Sequence, residues 1–472
     1  MPQPSEPRPL LGTELEYGIA APGRPDLDAD ALAALVVDHA AVPATTPVSD
    51  THNRTLGNGG RLYVDHGHPE YATPEVRSAS DIVLYEAAGD ALLAEAAASA
   101  SAALGAPVTL YRNNTDGKGH SYGYHENLLV SRAVAWSALE AALPAVLVTR
   151  TLFAGAGRVG LGQRSEDAGF QLSQRADFFV RTTSLDTTRD RGLVNTRDEP
   201  HARPSRWRRL HVITGDARRS AFATWLSVGT LGLCVAALEE GLLPTLTLRN
   251  PVEAFRTVSR DPTCTAPLPL TDGSATAIDV QERLADAAER LLHRREFTEG
   301  EALLHAWIGV LDALRRDPAT LADRIDWIAK RTLLDALRAR DQLDWSDPKL
   351  TALDLAWASL TPGGIVDTVR RAGRLVPPPD AEAVRHATAH PPRDTRAAVR
   401  GRWIGQHPEA VLAATWDSLL LRDDRGALHT LDLPDPFAAG VSSPEPTDRA
   451  ASASIATLIR AEQQALAQGG SR

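Results

Sequence analysis

The sequence predicts an α+β protein with more than one domain, on three observations. Alternating apolar and polar residues mark short strands at 11–20, 60–65, 108–112 and 121–131. Long helical stretches lie at 78–104, 217–240 and 278–340. Beyond Asp344 the texture changes, with proline clusters at 377–379 and 391–392. For 472 residues, a prior of roughly 100–200 residues per domain allows two to four domains. A composition of 43% hydrophobic and 23% charged residues supplies an ordinary core without staples.

Taken in order, residues 1–10 are Pro-rich and polar and are expected to be a disordered tail without the apolar stretch of a signal peptide. A strand over 11–20 and a short helix over 29–38 follow. The Pro, Thr, Asn and Gly clusters of 41–60 predict a loop, and GRLYVD at 60–65 a strand that Pro69 ends. Ser78 to Asp81 resembles a helix-start box, and Gly105 with Pro107 stops the Ala-rich helix behind it. Strands at 108–112 and 121–131 flank the polar loop NNTDGKGHSYG. Residues 145–214 predict mixed strand and loop, ending in the strand RRLHVITGD. The helix at 217–240 is capped by Gly241. Its apolar run, 226–238, is broken by Ser227, Gly229 and Gly232 and is shorter than the roughly 20 residues of a membrane span, so it predicts a core helix. Helical sequence at 278–340 has gaps near 296–299 and 317. The expected organisation is a tail (1–10), a large domain (11–390) and a small C-terminal domain (391–472) ending in a helix over 447–468.

A net charge of −10 excludes a dominant non-specific nucleic-acid binder, which needs a basic field. The two cysteines, Cys234 and Cys264, exclude a disulfide framework and a CxxC zinc site, and fit a reducing, cytoplasmic setting. Lys118, Lys330 and Lys349 are the only lysines, so 47 of the 50 basic residues are arginines. A GC-rich genome explains that bias, although arginine also grips carboxylates and phosphates.

Glu14 and Glu16 would share one strand face, about 7 Å apart. Two carboxylates so placed repel unless they face water or hold a cation. In GRLYVDHGHPEYATPE, Arg61, Tyr63 and Asp65 alternate against Leu62 and Val64, and His66, His68 and Glu70 follow. Glu14, Glu16, Asp65 and Glu70 together suit Mg²⁺ with a nucleotide, because hard cations take oxygen ligands. Zinc on His66 and His68 is the alternative, but the spacing of a zinc motif is missing. His125 and Glu126 open an apolar strand after the Gly-rich loop, and ligand and structural roles both fit the histidine. GKG there is not a phosphate-binding Walker loop. Gly155-Ala-Gly-Arg-Val-Gly160 matches GxGxxG, but LGQRSEDAGF after it opens no helix, which excludes a dinucleotide site. Arg197, Arg206, Arg208, Arg209 and His211 cluster near the strand RRLHVITGD. Arg209 and His211 share a strand face, suited to phosphate or carboxylate.

GTELEYGI, GRLYVDHGHPEYATPE, YRNNTDGKGHSYGYHEN, GFQLSQRADF, VNTRDEPHA and RRLHVITGD occur here in one order. Together they resemble the Pup ligase/depupylase family of the glutamine-synthetase-like carboxylate–amine ligases. TRAAVRG and ATWDSLLL extend the resemblance towards the C-terminus. It implies a glutamine-synthetase-like curved antiparallel sheet cradling ATP and Mg²⁺, packed with helices, plus a small C-terminal domain. It implies action on the C-terminal Glu or Gln of the small protein modifier Pup, with Pup and pupylated proteins as partners. By the same resemblance Glu14, Tyr63 and Glu70 match magnesium positions, and Arg61, Thr73 and Trp416 match ATP contacts. Asp65 matches the essential aspartate. His125 and His211 match further metal or nucleotide contacts, and Arg197 a phosphate or substrate arginine.

Within the family, YVDHGHPEY resembles the deamidase/depupylase branch, since the ligases carry one more residue before His-Pro-Glu. GAGRVGLG with its acidic insertion, and ATWDSLLL, resemble the same branch. The expected activity is therefore amide hydrolysis at Pup's C-terminal Gln or at the Pup–lysine isopeptide. The alternatives are a Pup–protein ligase and a diverged Pup-binding paralogue. Two departures stand out. Glu14 and Asp65 are only 51 positions apart, which is short for a depupylase, and ARRSAFATW places Arg218, Ala221 and Phe222 where the family is polar. Acidic, disordered Pup implies a basic groove, for which Arg206, Arg208, Arg370, Arg371 and Arg374 are candidates.

Overall fold

A computed structural model, which describes residues 9–45, 52–440 and 454–469, is built on a seven-stranded antiparallel sheet. In chain order its strands are β1 (Leu11–Glu16), β2 (Ala44–Thr45), β3 (Asn53–Leu56), β4 (Arg61–Asp65), β5 (His68–Ala72), β6 (Tyr124–Ser131) and β7 (Trp207–Val212). Their order across the sheet is β7-β6-β1-β5-β4-β3-β2. The fold is thus α+β.

Strand alternation gives this sheet two unlike faces. Leu15, Leu62, Tyr71 and Tyr124 point one way and are buried. Helices Ala29–Asp38 and Ala79–Leu104 cover them with Val36, Val37, Leu92 and Leu93. Each such side chain contributes roughly 1.5–3 kcal/mol when fully buried. Ser78 caps the long helix by accepting from the Asp81 amide, and Gly105 ends it at φ 67°. Gly89 lets this helix approach the sheet, since a Cβ there would lie 2.2 Å from the Tyr71 ring. The opposite face carries Glu14, Glu16, Tyr63, Glu70 and His125, and among the described residues no α-helix lines the cavity above it.

Several predicted elements differ. The loop expected over 41–60 contains β2 and β3, short polar strands at one end of the sheet with no alternation to reveal them. Pro69 does not end a strand. His66 and Gly67, at φ 46° and 79°, turn the chain, and Pro69 sits second in β5, where Tyr17 N–H donates to its carbonyl. The start of the segment expected as strand and loop is helical instead, since residues 145–149 end the helix Trp136–Thr149 and 151–154 form a further turn. That helix is apolar on nearly every side because it is buried, so periodicity is lost, and Pro144 inside it mimics a break. The GxGxxG segment runs into the strand Arg158–Leu161 and opens no helix.

Helix Ala221–Glu239 is long and apolar enough to cross a membrane, yet 78% of its most apolar window is buried inside the fold. It packs with helices Ala277–Leu292 and Gly300–Arg316 in the largest core cluster. Both cysteines are buried and free. Near the C-terminus, helix Ala397–Gln406 and strands Val411–Ala414, Ser418–Arg422 and Leu428–Asp432 share a separate cluster with helix Ile455–Gly469, built on Val399, Trp403, Leu419 and Ile459. Of the expected terminal segments, residues 1–8 and 447–453 lie outside the described residues, while Leu10 is buried and its carbonyl accepts from Leu129 N–H.

Candidate active site

The uncovered sheet face forms the floor of a cavity of about 620 Å³. Antiparallel register sets its layout: Glu14 lies opposite His125, and Glu70 opposite both Glu16 and Tyr63. Two groups of ligand atoms result. Glu14, His125 and His211 bring their atoms within 4.8 Å of one another, and so do Glu16, Asp65 and Glu70.

In the first group Glu14 meets His125 Nδ1 at 3.1 Å and accepts from Asn127 Nδ2 at 3.1 Å, with Arg209 at 3.5 Å. Burial opposes its charge, but the His125 hydrogen bond and the Arg209 guanidinium outweigh it and hold its pKa far below the usual carboxylate range. Burial drives the His211 pKa well below 6.5 despite Glu14, so the ring is neutral at pH 7 and its nitrogens can serve as ligands or hydrogen-bonding groups.

The second group is electrostatically frustrated. Burial, then the charges of Glu16 and Glu14, raise the Glu70 pKa well above 4.5, although Tyr63 Oη donates to Glu70 at 2.5 Å. Burial and Glu70 likewise raise the Tyr63 phenol. A raised carboxyl pKa favours the folded state below about pH 4.5, and that contribution is lost as pH rises through the folded value. The metal-free protein should therefore lose stability on this account as pH rises from 5 to 8, and Glu70→Gln should flatten the loss. Melting temperatures of both proteins across that range check it, and equal slopes would contradict it. An oxygen-rich donor set whose members repel one another suits a hard divalent cation.

Gly123 separates the two groups. A Cβ there would lie 2.4 Å from His125 Nε2 and 2.5 Å from Glu16 Oε1. Gly123→Ala should leave the circular dichroism spectrum intact and lower activity by about 10²-fold, the scale of a 1 Å misplacement. Unchanged turnover would show that the two groups do not work together.

The structure sets Glu14, Glu16, Tyr63, Asp65, Glu70, His125, Arg197, Arg209 and His211 around this one cavity. Asp65 stands at the mouth with 41% of its side chain exposed, 2.9 Å from His66 Nδ1. His66 and His68 do not pair: His68 bonds the Tyr17 carbonyl at 3.0 Å and stacks on Tyr122. Thr73 and Trp416 line an adjoining slot that shares Glu14, His201 and Arg209 with the cavity. There the Thr73 hydroxyl accepts from Thr13 N–H, and the Arg400 guanidinium lies 4.9 Å from the Trp416 ring centroid. A flat apolar wall beside a carboxylate-lined cavity fits a nucleotide base with its phosphates. Arg61 lines neither space and is held by Asn53 Oδ1 at 2.6 Å.

Glu126 faces the other way, paired with Arg150 at 2.5 Å. Arg208 lies over Trp136 and donates to the Val134 carbonyl, and Arg206 lies over Trp207. Arg175 and Arg191 were not singled out from sequence, yet both line the cavity. Burial and neighbouring Arg191 push the Arg175 pKa down to about 10. Arg175 lay within GFQLSQRADF, whose distance along the chain hid its place. Glu75 was also missed. It pairs with Arg396 at 2.7 Å and Arg400 at 2.6 Å and forms a wall of the slot.

Comparison with known proteins gives the family. The profile described as Pup-ligase protein matches residues 9–420. A depupylase of Acidothermus cellulolyticus (strain ATCC 43068 / DSM 8971 / 11B) is 39% identical, over 90% of this chain and 93% of its own. A Pup–protein ligase of Acidimicrobium ferrooxidans (strain DSM 10331 / JCM 15462 / NBRC 103882 / ICP) is also 39% identical, over 92% and 96%. Among solved structures, the complex between Pup and its ligase PafA superposes with a TM-score of 0.83 at 33% identity, covering 92% of this chain and 90% of that one. PafA in complex with ADP gives 0.76 at 34%, covering 83% and 88%. With the profile spanning most of the described chain and relatives of either activity aligned along nearly its whole length, this chain belongs to the Pup-ligase protein family.

Proposed function

We propose that this protein is a Pup deamidase/depupylase, hydrolysing the side-chain amide of Pup's C-terminal Gln and the isopeptide that joins Pup to a lysine. Identity alone does not separate hydrolase from ligase, since relatives of both kinds reach 39%. The observation that carries the reading is the hairpin beside Asp65. Asp65 pairs with His68 across a turn of only His66 and Gly67, the short form by which the sequence resembles the depupylase branch.

Mg²⁺ would be held by Glu14, Tyr63 and Glu70, as the resemblance implies, with Glu16, His125 and His211 beside them in the two groups of ligand atoms. ATP would fit between the Thr73–Trp416 slot and the cavity. When bound, the ion would supply positive charge that offsets the negative charge developing on the carbonyl oxygen, and the nucleotide's phosphates would help to hold the ion. The chain's own groups do the rest. Arg197 and Arg209 at the cavity wall hold phosphate or substrate carboxylate. Asp65 either attacks the amide carbonyl, expelling the amine and leaving an anhydride that water then hydrolyses, or takes a proton from a water that attacks the carbonyl directly. The products are Pup's γ-carboxylate and ammonia or the freed lysine amine. The site would work in the cytoplasm.

The ARRSAFATW departure does not touch this face. Arg218 is fully buried behind the sheet, 4.6 Å from the Tyr124 ring centroid. The test is a pair of reactions: pupylated substrate with ATP and Mg²⁺, and Pup ending in Glu with a target protein and the same cofactors. Cleavage in the first without conjugation in the second is expected. Conjugation alone would make the protein a ligase, and neither reaction would make it a Pup-binding paralogue.

A further inference from the structure

A second cavity, of about 450 Å³, lies among helices Ala79–Leu104, Ala221–Glu239 and Ala381–Ala389. It is on the far side of the sheet from the carboxylate clusters, because Tyr124 and Glu126 alternate along β6 with His125 and Asn127. Arg112, Arg218, Arg219, Arg370 and Arg385 line it against only three carboxylates.

Those carboxylates are already engaged. Arg112 donates to Asp90 at 2.9 Å and also to Glu86, and Asp367 stands 3.9 Å from Arg370. Arg218 is matched from the sheet side by Glu126 at 3.6 Å and donates to Tyr124 Oη at 2.8 Å. Arg219 has no such match among the described residues. Its Nη1 is buried without a hydrogen-bond partner, and so is Nε of Arg370, which donates through Nη2 to the Arg219 carbonyl. Burial lowers the Arg219 pKa, Asp90 only partly opposes this, and the charges of Arg112 and Arg370 add to it. Arg385 stands exposed at the rim. Ala221, the first residue of a 19-residue helix, also lines the cavity, but that helix end is already capped, since the Arg219 and Ser220 amides donate to the Asp326 carboxylate at 2.7 and 3.0 Å. Cationic groups gathered on one side of a cavity of this size, and outnumbering the carboxylates that line it, suit an anion.

We propose that this cavity binds a small multivalent anion carrying phosphate or carboxylate groups, gripped by Arg219 and Arg370 with Arg385 at the rim. Two of the residues that set it up, Arg219 and Ala221, belong to the ARRSAFATW segment that the catalytic face does not use. Occupancy would reach the catalytic face through β6, whose Tyr124 and Glu126 bond Arg218 while its next-door His125 bonds Glu14.

The test titrates inorganic phosphate, tripolyphosphate and citrate separately into the full chain by calorimetry, with melting temperatures alongside. Wild type, Arg219→Gln, Arg385→Gln and the front-face control Arg197→Gln are compared. At least one anion should bind wild type and Arg197→Gln alike and raise their melting temperatures. Arg219→Gln should weaken that binding about tenfold or more, the scale of one charge-assisted contact. Arg385→Gln, at an exposed position that does not threaten folding, should weaken it by a smaller factor. Binding of the phosphates alone would identify a phosphate site, and of citrate alone a carboxylate site. The proposal falls if none of the three anions binds wild type at millimolar concentration. It also falls if both back-side variants bind as wild type does, or if Arg197→Gln abolishes the binding.

Discussion

Asp65→Asn is expected to lower cleavage of a Pup-linked substrate by about 10²–10⁴-fold, the range for losing a positioned base or nucleophile, while the protein stays folded. The side chain sits at the end of β4 and is 41% exposed, so the near-isosteric amide removes little packing. It also removes one negative charge from the Glu16, Asp65 and Glu70 group, whose members lie within 4.8 Å and repel. The metal-free variant should melt no lower than wild type. Rate measurements on a pupylated substrate, with thermal melts of both proteins, decide the matter. Isopeptide cleavage at the wild-type rate by the folded variant would end the assignment of Asp65, whether as nucleophile or as base.

Glu75→Gln is expected to cost about 3–5 kcal/mol of stability, the usual result of stripping one partner from a buried ion pair. Glu75 follows β5 and is gripped by Arg396 and by Arg400 of helix Ala397–Gln406, which are 3% and 0% exposed. Burial disfavours its charge, but Arg400 and Arg396 hold its pKa at about 2. A lowered carboxylate pKa contributes stability in full above about pH 4.5, lost as pH falls through the folded value. Urea unfolding followed by tryptophan fluorescence should show the deficit at pH 7, and wild type should approach the variant in acid. Arg400 also donates to the Trp416 carbonyl at 2.8 Å, so the variant should bind nucleotide more weakly. A loss under about 1 kcal/mol, the scale of an exposed pair, would mean that the clamp is not structural.

The elements legible from sequence are those with strong local signals. Alternation at 11–20 and 60–65 and the Ser78 and Gly105 caps of the 79–104 helix carry their meaning within a few residues. The helix at 136–149 is different, because burial on nearly every side erases the pattern that would mark it. The strands Ala44–Thr45 and Asn53–Leu56 are too short to show any pattern. The site divides in the same way. Glu14, Asp65 and Glu70 stood out because neighbouring carboxylates on alternating strands already ask for a cation or for water. Arg175 and Glu75 did not, since each gains its role from residues far along the chain. Arg206 and Arg208 looked like part of a cationic site, but each lies over a tryptophan of its own neighbourhood.

Sequence by itself determined which groups this protein brings together locally and which family it resembles: an acidic strand face, an aspartate at a short hairpin, and motifs in one order. Local alternation suffices for that, because in a strand the side-chain period sets which groups face the same way. Tertiary structure alone decided which strands lie side by side, and so that Glu14 meets His125 while Glu70 meets Glu16. It also decided that the arginines of 217–225 lie behind the sheet, in a cavity of their own. Register and burial arise from packing between distant segments, and these set each group's charge state as well as its neighbours.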